Sequence, residues 1–154
     1  MALLIKNEYA ESAIKVKTGL KAEMLSVKLN AFSPAIVITA YYGSQPRTGH
    51  GLEERIEEIF EVFSSVKSAQ ENGSETFILG DANAWVGTEL IQGNNVSVNR
   101  EGLLFVELMK KHGMEFANDL LSKPATYRDK KIGTRKSVGY CSSRRHKSGA
   151  RDES

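Results

Sequence analysis

An acid and an amide, Asp81 and Asn83, stand two residues apart just after the apolar run Phe77-Ile78-Leu79 and the glycine Gly80. Side chains along a strand alternate faces, so the two point the same way if extended geometry continues past the glycine. A carboxylate and an amide side by side at a strand end suit phosphoryl chemistry. The carboxylate can orient and deprotonate a water, and the amide can donate to the charged oxygens of the transition state. The same residues also suit a plain turn, because Gly, Asp and Asn favour turns for backbone reasons alone.

Other chemistry-bearing residues are sparser. His50, His112 and His146 show no metal spacing with Cys or acid partners and read as surface or helix-end residues. Trp85 follows the acid and amide closely and reads as a packing residue rather than a base-stacking platform. Asn118 and Thr126 are further candidates for a phosphate pocket. The sequence contains no P-loop, dinucleotide fingerprint, nucleophile elbow or zinc motif.

The elements that must position these residues are legible from periodicity. Ala2 to Lys6 reads as a short apolar strand, and Ile14-Lys15-Val16-Lys17 and Leu25-Ser26-Val27-Lys28-Leu29 alternate as half-buried antiparallel strands do, with Gly19 free to turn between them. Ile36 to Ala40, bounded by Ser33-Pro34 and Gly43, reads as a more deeply buried strand, which completes a meander. Leu52, Ile56, Ile59, Phe60, Phe63 and Val66 recur at helical spacing from Gly51 to about Gln70, with Glu53, Glu54, Glu57, Glu58 and Glu61 forming an acidic solvated face. A second helix begins at the cap Asn99, carries the stripe Leu104, Phe105, Leu108 and Met109, and ends with Lys110, Lys111 and His112 before Gly113. Met114-Glu115-Phe116-Ala117 reads as a further strand, and the whole as an α+β arrangement with helices on the outer face of a sheet.

Composition bounds the rest. The 154 residues suffice for one domain, and the net charge of +2 conceals an acidic first helix and a basic end in which Arg128, Lys130, Lys131, Arg135, Lys136, Arg144, Arg145, Lys147 and Arg151 accumulate. That end can contact phosphates non-specifically, although residues 141–154 lack apolar periodicity and read as a solvated, disordered tail. No run approaches the ~20 apolar residues of a membrane helix, and Leu3-Leu4-Ile5 is too short for a signal peptide, so an intracellular location in nucleus or cytoplasm is expected. The single Cys141 fits a reducing compartment, and the glycosylation patterns at Asn72 and Asn95 read as chance matches.

As strings, Leu79-Gly80-Asp81-Ala82-Asn83-Ala84, Ile36-Val37-Ile38-Thr39-Ala40-Tyr41-Tyr42, Asn99-Arg100-Glu101-Gly102-Leu103-Leu104-Phe105 and Ala125-Thr126-Tyr127-Arg128 resemble, in order, motifs of the endonuclease/exonuclease/phosphatase superfamily. The wording of Tyr42-Gly43-Ser44-Gln45 and Ala84-Trp85-Val86-Gly87 is most similar to the retrotransposon-endonuclease, craniofacial-development-protein-like branch. The resemblance covers residues 1–140 as a partial domain and implies part of a four-layer αββα, DNase I-like sandwich, incomplete at both ends. It also implies Mg²⁺-dependent phosphodiester hydrolysis with Asp81, Asn83 and Tyr41 as catalytic residues, and a nucleic acid or other phosphodiester as partner. The family's metal-binding Glu segment and its closing Ser-Asp-His motif have no counterpart in the sequence, and Ala82 stands where Phe is usual. Impaired hydrolysis is therefore expected, with a non-catalytic retroelement-derived remnant or binding module as the alternative. Missing strands also imply unpaired sheet edges and self-association.

Overall fold

The computed structural model describes residues 2–45, 51–84 and 99–116, together with the backbone of 127–128, 135–136 and 140–143. Asn118, Thr126 and Trp85, and the basic side chains after Lys123, lie outside the described residues. After a single helical turn, Asn7–Ala10 (α1), the chain forms Ala13–Thr18 (β1), Glu23–Leu29 (β2) and Ile36–Tyr42 (β3). These pair antiparallel in sequence order, the meander expected from their patterns. Leu52–Glu71 (α2) then crosses over to Glu75–Asp81 (β4), which pairs with β3 in parallel from Ile36↔Glu75 to Tyr42↔Asp81. A parallel pair requires such a crossover, because a tight turn cannot bring the second strand back to the same end.

Arg100–Lys111 (α3) leads into Met114–Phe116 (β5), followed by Tyr127–Arg128 (β6), Arg135–Lys136 (β7) and Tyr140–Ser143 (β8). The main sheet is six-stranded in the order β1-β2-β3-β4-β8-β5, and β6 pairs with β7 separately. Strand β8 thus extends past the boundary read at residue 140. The observed architecture is the α+β arrangement of helices over a sheet.

Helices α2 and α3 cover one face. Met24, Tyr41 and Ile78 from the sheet meet Ile59, Val62, Phe63 and Val66 of α2, and Phe105, Leu108 and Met109 of α3, in one apolar cluster. Val62 and Met109 are 0% exposed, and burial of each such side chain contributes about 1.5–3 kcal/mol. Phe63 meets the edge of Phe105 at a centroid distance of 5.2 Å. Beneath α2 lies a polar seam: Ser26 hydrogen-bonds Thr39 at 2.8 Å and Ser65 at 3.1 Å, all three residues buried. Ser26, the polar residue between Leu25 and Val27 in the alternation of β2, therefore points at the helix.

The helix ends follow their chemistry. Asn99 Oδ1 accepts the Gly102 N–H at 2.8 Å, and Gly113 takes the left-handed φ of 62° that ends α3. Glu54 reaches back to the Gly51 N–H at 2.9 Å at the start of α2. Arg55 Nε donates to Glu101 at 2.7 Å, and this pair joins α2 to α3.

Two local expectations fail. Ala2 to Lys6 forms no strand; Leu4 is fully exposed, and Tyr9 of α1 instead rests against Phe32 at 5.3 Å. Among the described residues no strand pairs with this run, and an apolar run alone gains nothing from extending. In β1 the register jumps between Lys15 and Lys17, leaving Val16 as the extra residue of a bulge. Ile14, before the bulge, and Val16 are both more than half exposed. That bulge and the exposed Lys15 are features that discourage pairing at this outer edge of the sheet.

Candidate active site

The expected site lies where β3 and β4 end side by side. Gly80 permits that closeness: its φ is 144°, and a Cβ there would sit 1.8 Å from the Tyr41 carbonyl oxygen. Strand β4 stops at Asp81, and Asn83 adopts a left-handed φ of 47°, a conformation Asn tolerates better than most residues. Extended geometry therefore does not continue through the pair. The Asn83 backbone N–H donates to Asp81 Oδ1 at 2.9 Å, closing a local turn, while Asn83 Nδ2 donates to the Gly43 carbonyl at 2.5 Å. Acid and amide are adjacent because a turn folds one onto the other, not because they share a strand face.

The loop after β3 is held from the same side. The Gly43 N–H donates to the Asp81 carbonyl at 2.8 Å. Gly43 has no room for a side chain, since a Cβ would meet the Ala82 carbonyl oxygen at 2.2 Å and the Tyr41 hydroxyl at 2.9 Å. The Tyr41 hydroxyl thus reaches into this corner from a ring that is only 2% exposed. Burial pushes its pKa well above the usual phenol value, and the nearby charges of Glu58 and Asp81 push it further. Tyr41 consequently keeps its proton and is a hydrogen-bond donor.

Two acids on α2 do work that the sequence pattern concealed. Glu58 is 3% exposed, and its carboxylate accepts the Ser44 N–H at 3.0 Å and the Ser44 hydroxyl at 2.5 Å. Glu61 accepts the backbone N–H groups of Leu20, Lys21 and Ala22 at 2.8–2.9 Å and so secures the turn between β1 and β2. The available signal was the spacing of Glu58, Val62, Ser65 and Ala69. All four are buried, whereas Phe60, assigned to the apolar stripe, is 50% exposed.

The corner thus assembles Asp81, Asn83 and Tyr41 with Glu58, Ser44 and Gly43. Among the described residues no group of three or more His, Cys, Asp or Glu side chains could hold a metal ion. Glu58 is occupied by Ser44, and Asp81 accepts from Asn83. Mg²⁺ takes near-octahedral oxygen coordination, so the described donors do not make a complete site for it. His112 is at the end of α3, as read from sequence, stacked on Phe63 at 5.7 Å and hydrogen-bonded to Gln70. It lies in a helix-packing role, apart from the corner.

No protein-family model matches the sequence. No curated protein matches it. Among solved structures, the chain is similar to the endonuclease domain of TRAS1, a telomere-specific non-LTR retrotransposon, at 15% identity and a TM-score of 0.54, with 85% of this chain and 54% of that one covered. It is also matched to an endonuclease/exonuclease/phosphatase from Beutenbergia cavernae at 15% identity and a TM-score of 0.47, over 84% of this chain and 36% of that one. The chain therefore spans about half the length of the retrotransposon domain. It shares part of the α+β, DNase I-like fold of that endonuclease domain.

Proposed function

We propose that this chain is part of an endonuclease/exonuclease/phosphatase-type phosphodiester hydrolase domain, and that the corner between β3 and β4 is its phosphate-facing site. The observation that carries this is the convergence of Asp81, Asn83 and Tyr41 at one sheet end, in a fold shared with a retrotransposon endonuclease domain. Asp81 would orient the attacking water. The Asn83 amide spends one N–H on Gly43, which leaves its second N–H, together with the Tyr41 hydroxyl, to donate to phosphate oxygens. The implied cofactor is Mg²⁺, which would neutralise charge on the phosphate when bound. The family's metal-binding Glu segment and its closing Ser-Asp-His motif have no counterpart in the sequence, so this chain by itself is expected to turn over little or no substrate. Asn118 and Thr126 are proposed as further phosphate contacts, with a nucleic acid as the favoured phosphodiester and an intracellular setting in nucleus or cytoplasm. Among the described residues no helix is long and apolar enough to cross a membrane.

One observation favours a second reading, a non-catalytic binding module. The Asp81 and Asn83 side chains both hold backbone in place, as structural turn residues do. Such a module would use its sheet edges or basic residues for association with itself or with nucleic acid. Nicking of supercoiled plasmid with Mg²⁺ present separates the readings from full activity: background cleavage is expected. Nicking that disappears in Asp81→Ala would contradict the impairment.

A further inference from the structure

Glu58 is an unusual residue for its place. It is 3% exposed on the buried side of α2, one position before Ile59 and four before Val62, both within the apolar core. Among the described residues it forms no ion pair, unlike the other buried acid, Glu101, which is held by Arg55. Burying a carboxylate is costly unless hydrogen bonds or a cation offset it, and an apolar side chain here would serve packing better. Among the described residues its two hydrogen bonds are both from Ser44, the residue that follows Gly43. Gly43 in turn carries the carbonyl on which the Asn83 amide hangs and the N–H that meets the Asp81 carbonyl. The Tyr41 hydroxyl closes the same group, next to Gly43.

We propose that Glu58 is a positioning residue for the phosphate-facing corner: it anchors Ser44, and through the Gly43 carbonyl sets where the Asn83 amide points. This rests on the proposed function for its purpose, although not for its geometry. A carboxylate is the group that suits the task. It presents two acceptors at once, one for a backbone N–H and one for a hydroxyl, and charge-assisted bonds of this kind are short and directional. A glutamine offers only one acceptor oxygen and turns an N–H₂ toward the other donor.

The test uses ¹⁵N-labelled protein, with the Asn83 side-chain amide pair identified by its disappearance in Asn83→Asp. In Glu58→Gln the Asn83 pair is expected to shift or broaden while amides of β5 stay in place, and the response of that pair to dimethyl phosphate is expected to weaken several-fold. An Asn83 pair that stays in place with its dimethyl phosphate response intact would overturn the proposal. If Glu58→Gln does not fold, Ser44→Ala, which removes only the hydroxyl donor, is read by the same resonances with the same two outcomes. Should the unsubstituted protein show no response to dimethyl phosphate, the phosphate-site reading fails. The Asn83 shift in Glu58→Gln or Ser44→Ala then still decides the positioning role.

Discussion

The Asn83 side-chain amide donates to the Gly43 carbonyl at 2.5 Å and thereby ties the turn after β4 to the loop after β3. Asn83 also sits at a φ of 47°, so the residue meets a backbone demand and a hydrogen-bonding demand together. Substitutions separate the two. Asn83→Gly keeps the conformation and loses the bond, at an expected cost of about 1 kcal/mol. Asn83→Ala loses both, at about 2 kcal/mol or more. Urea unfolding of the two variants checks the order, and equal costs would show that the left-handed conformation carries no strain.

Gly80 makes a sharper prediction. Its Cβ position lies 1.8 Å from the Tyr41 carbonyl, at a φ of 144° that side chains rarely adopt. Gly80→Ala must open the β3–β4 pairing at Tyr41 to relieve a backbone collision, and is expected to cost about 3 kcal/mol or more. Thermal unfolding by circular dichroism gives the size of the effect. A variant as stable as the parent would place β4 elsewhere.

Glu61 links stability to acid. Burial, the largest effect on its carboxyl, acts upward, but the N–H groups of Ala22, Leu20 and Lys21 and the charge of Lys17 act downward and prevail, leaving the pKa below the usual value. The folded state therefore holds this proton less tightly than the unfolded chain. The resulting stabilisation is present above the unfolded pKa and lost as pH falls through the folded one. Glu61→Gln is expected to lower stability at neutral pH by about 1–2 kcal/mol and to flatten the dependence between about pH 5 and pH 3. Chemical denaturation at a series of pH values reads both effects.

His112 gives a second window. Burial, followed by the charges of Lys111 and Lys67, holds its pKa below the usual 6.5. Protonation thus favours the unfolded chain, and the contribution of His112 is present above that value and lost as pH falls below it. His112→Phe preserves a ring against Phe63 and removes the titration. Its stability is expected to be flatter than that of the parent between about pH 7 and pH 5. Parallel curves in that window would show that another group carries the dependence.

The existence and order of α2, α3 and β2 to β5 were readable because local signals agreed with tertiary need, although β2, β3 and β4 each run about two residues past the apolar stretch that announced them. Asn99 caps the helix its spacing announced, and Gly113 ends it. What escaped the pattern was decided by long-range partners. Leu4 and its neighbours look like a strand, but among the described residues no strand pairs with them. Val16 looks inward by alternation, but a bulge turns it out. Glu58 and Glu61 look like solvated helix charges until Ser44 and the β1–β2 turn arrive, each from elsewhere in the chain. In the corner, the identities of Asp81, Asn83 and Tyr41 were legible, whereas the turn that joins the first two was visible only as the competing reading of the same residues.

The account depends most directly on whether the β3–β4 corner meets a phosphodiester. Backbone and side-chain amide shifts of the ¹⁵N-labelled protein, followed as dimethyl phosphate is added with Mg²⁺ present, measure this. The account predicts a saturable displacement centred on Gly43, Ser44, Ala82 and Asn83, and absent from β1 and the C-terminal end of α3. Amides of the corner that stay in place, or a response centred elsewhere on the protein, would contradict it.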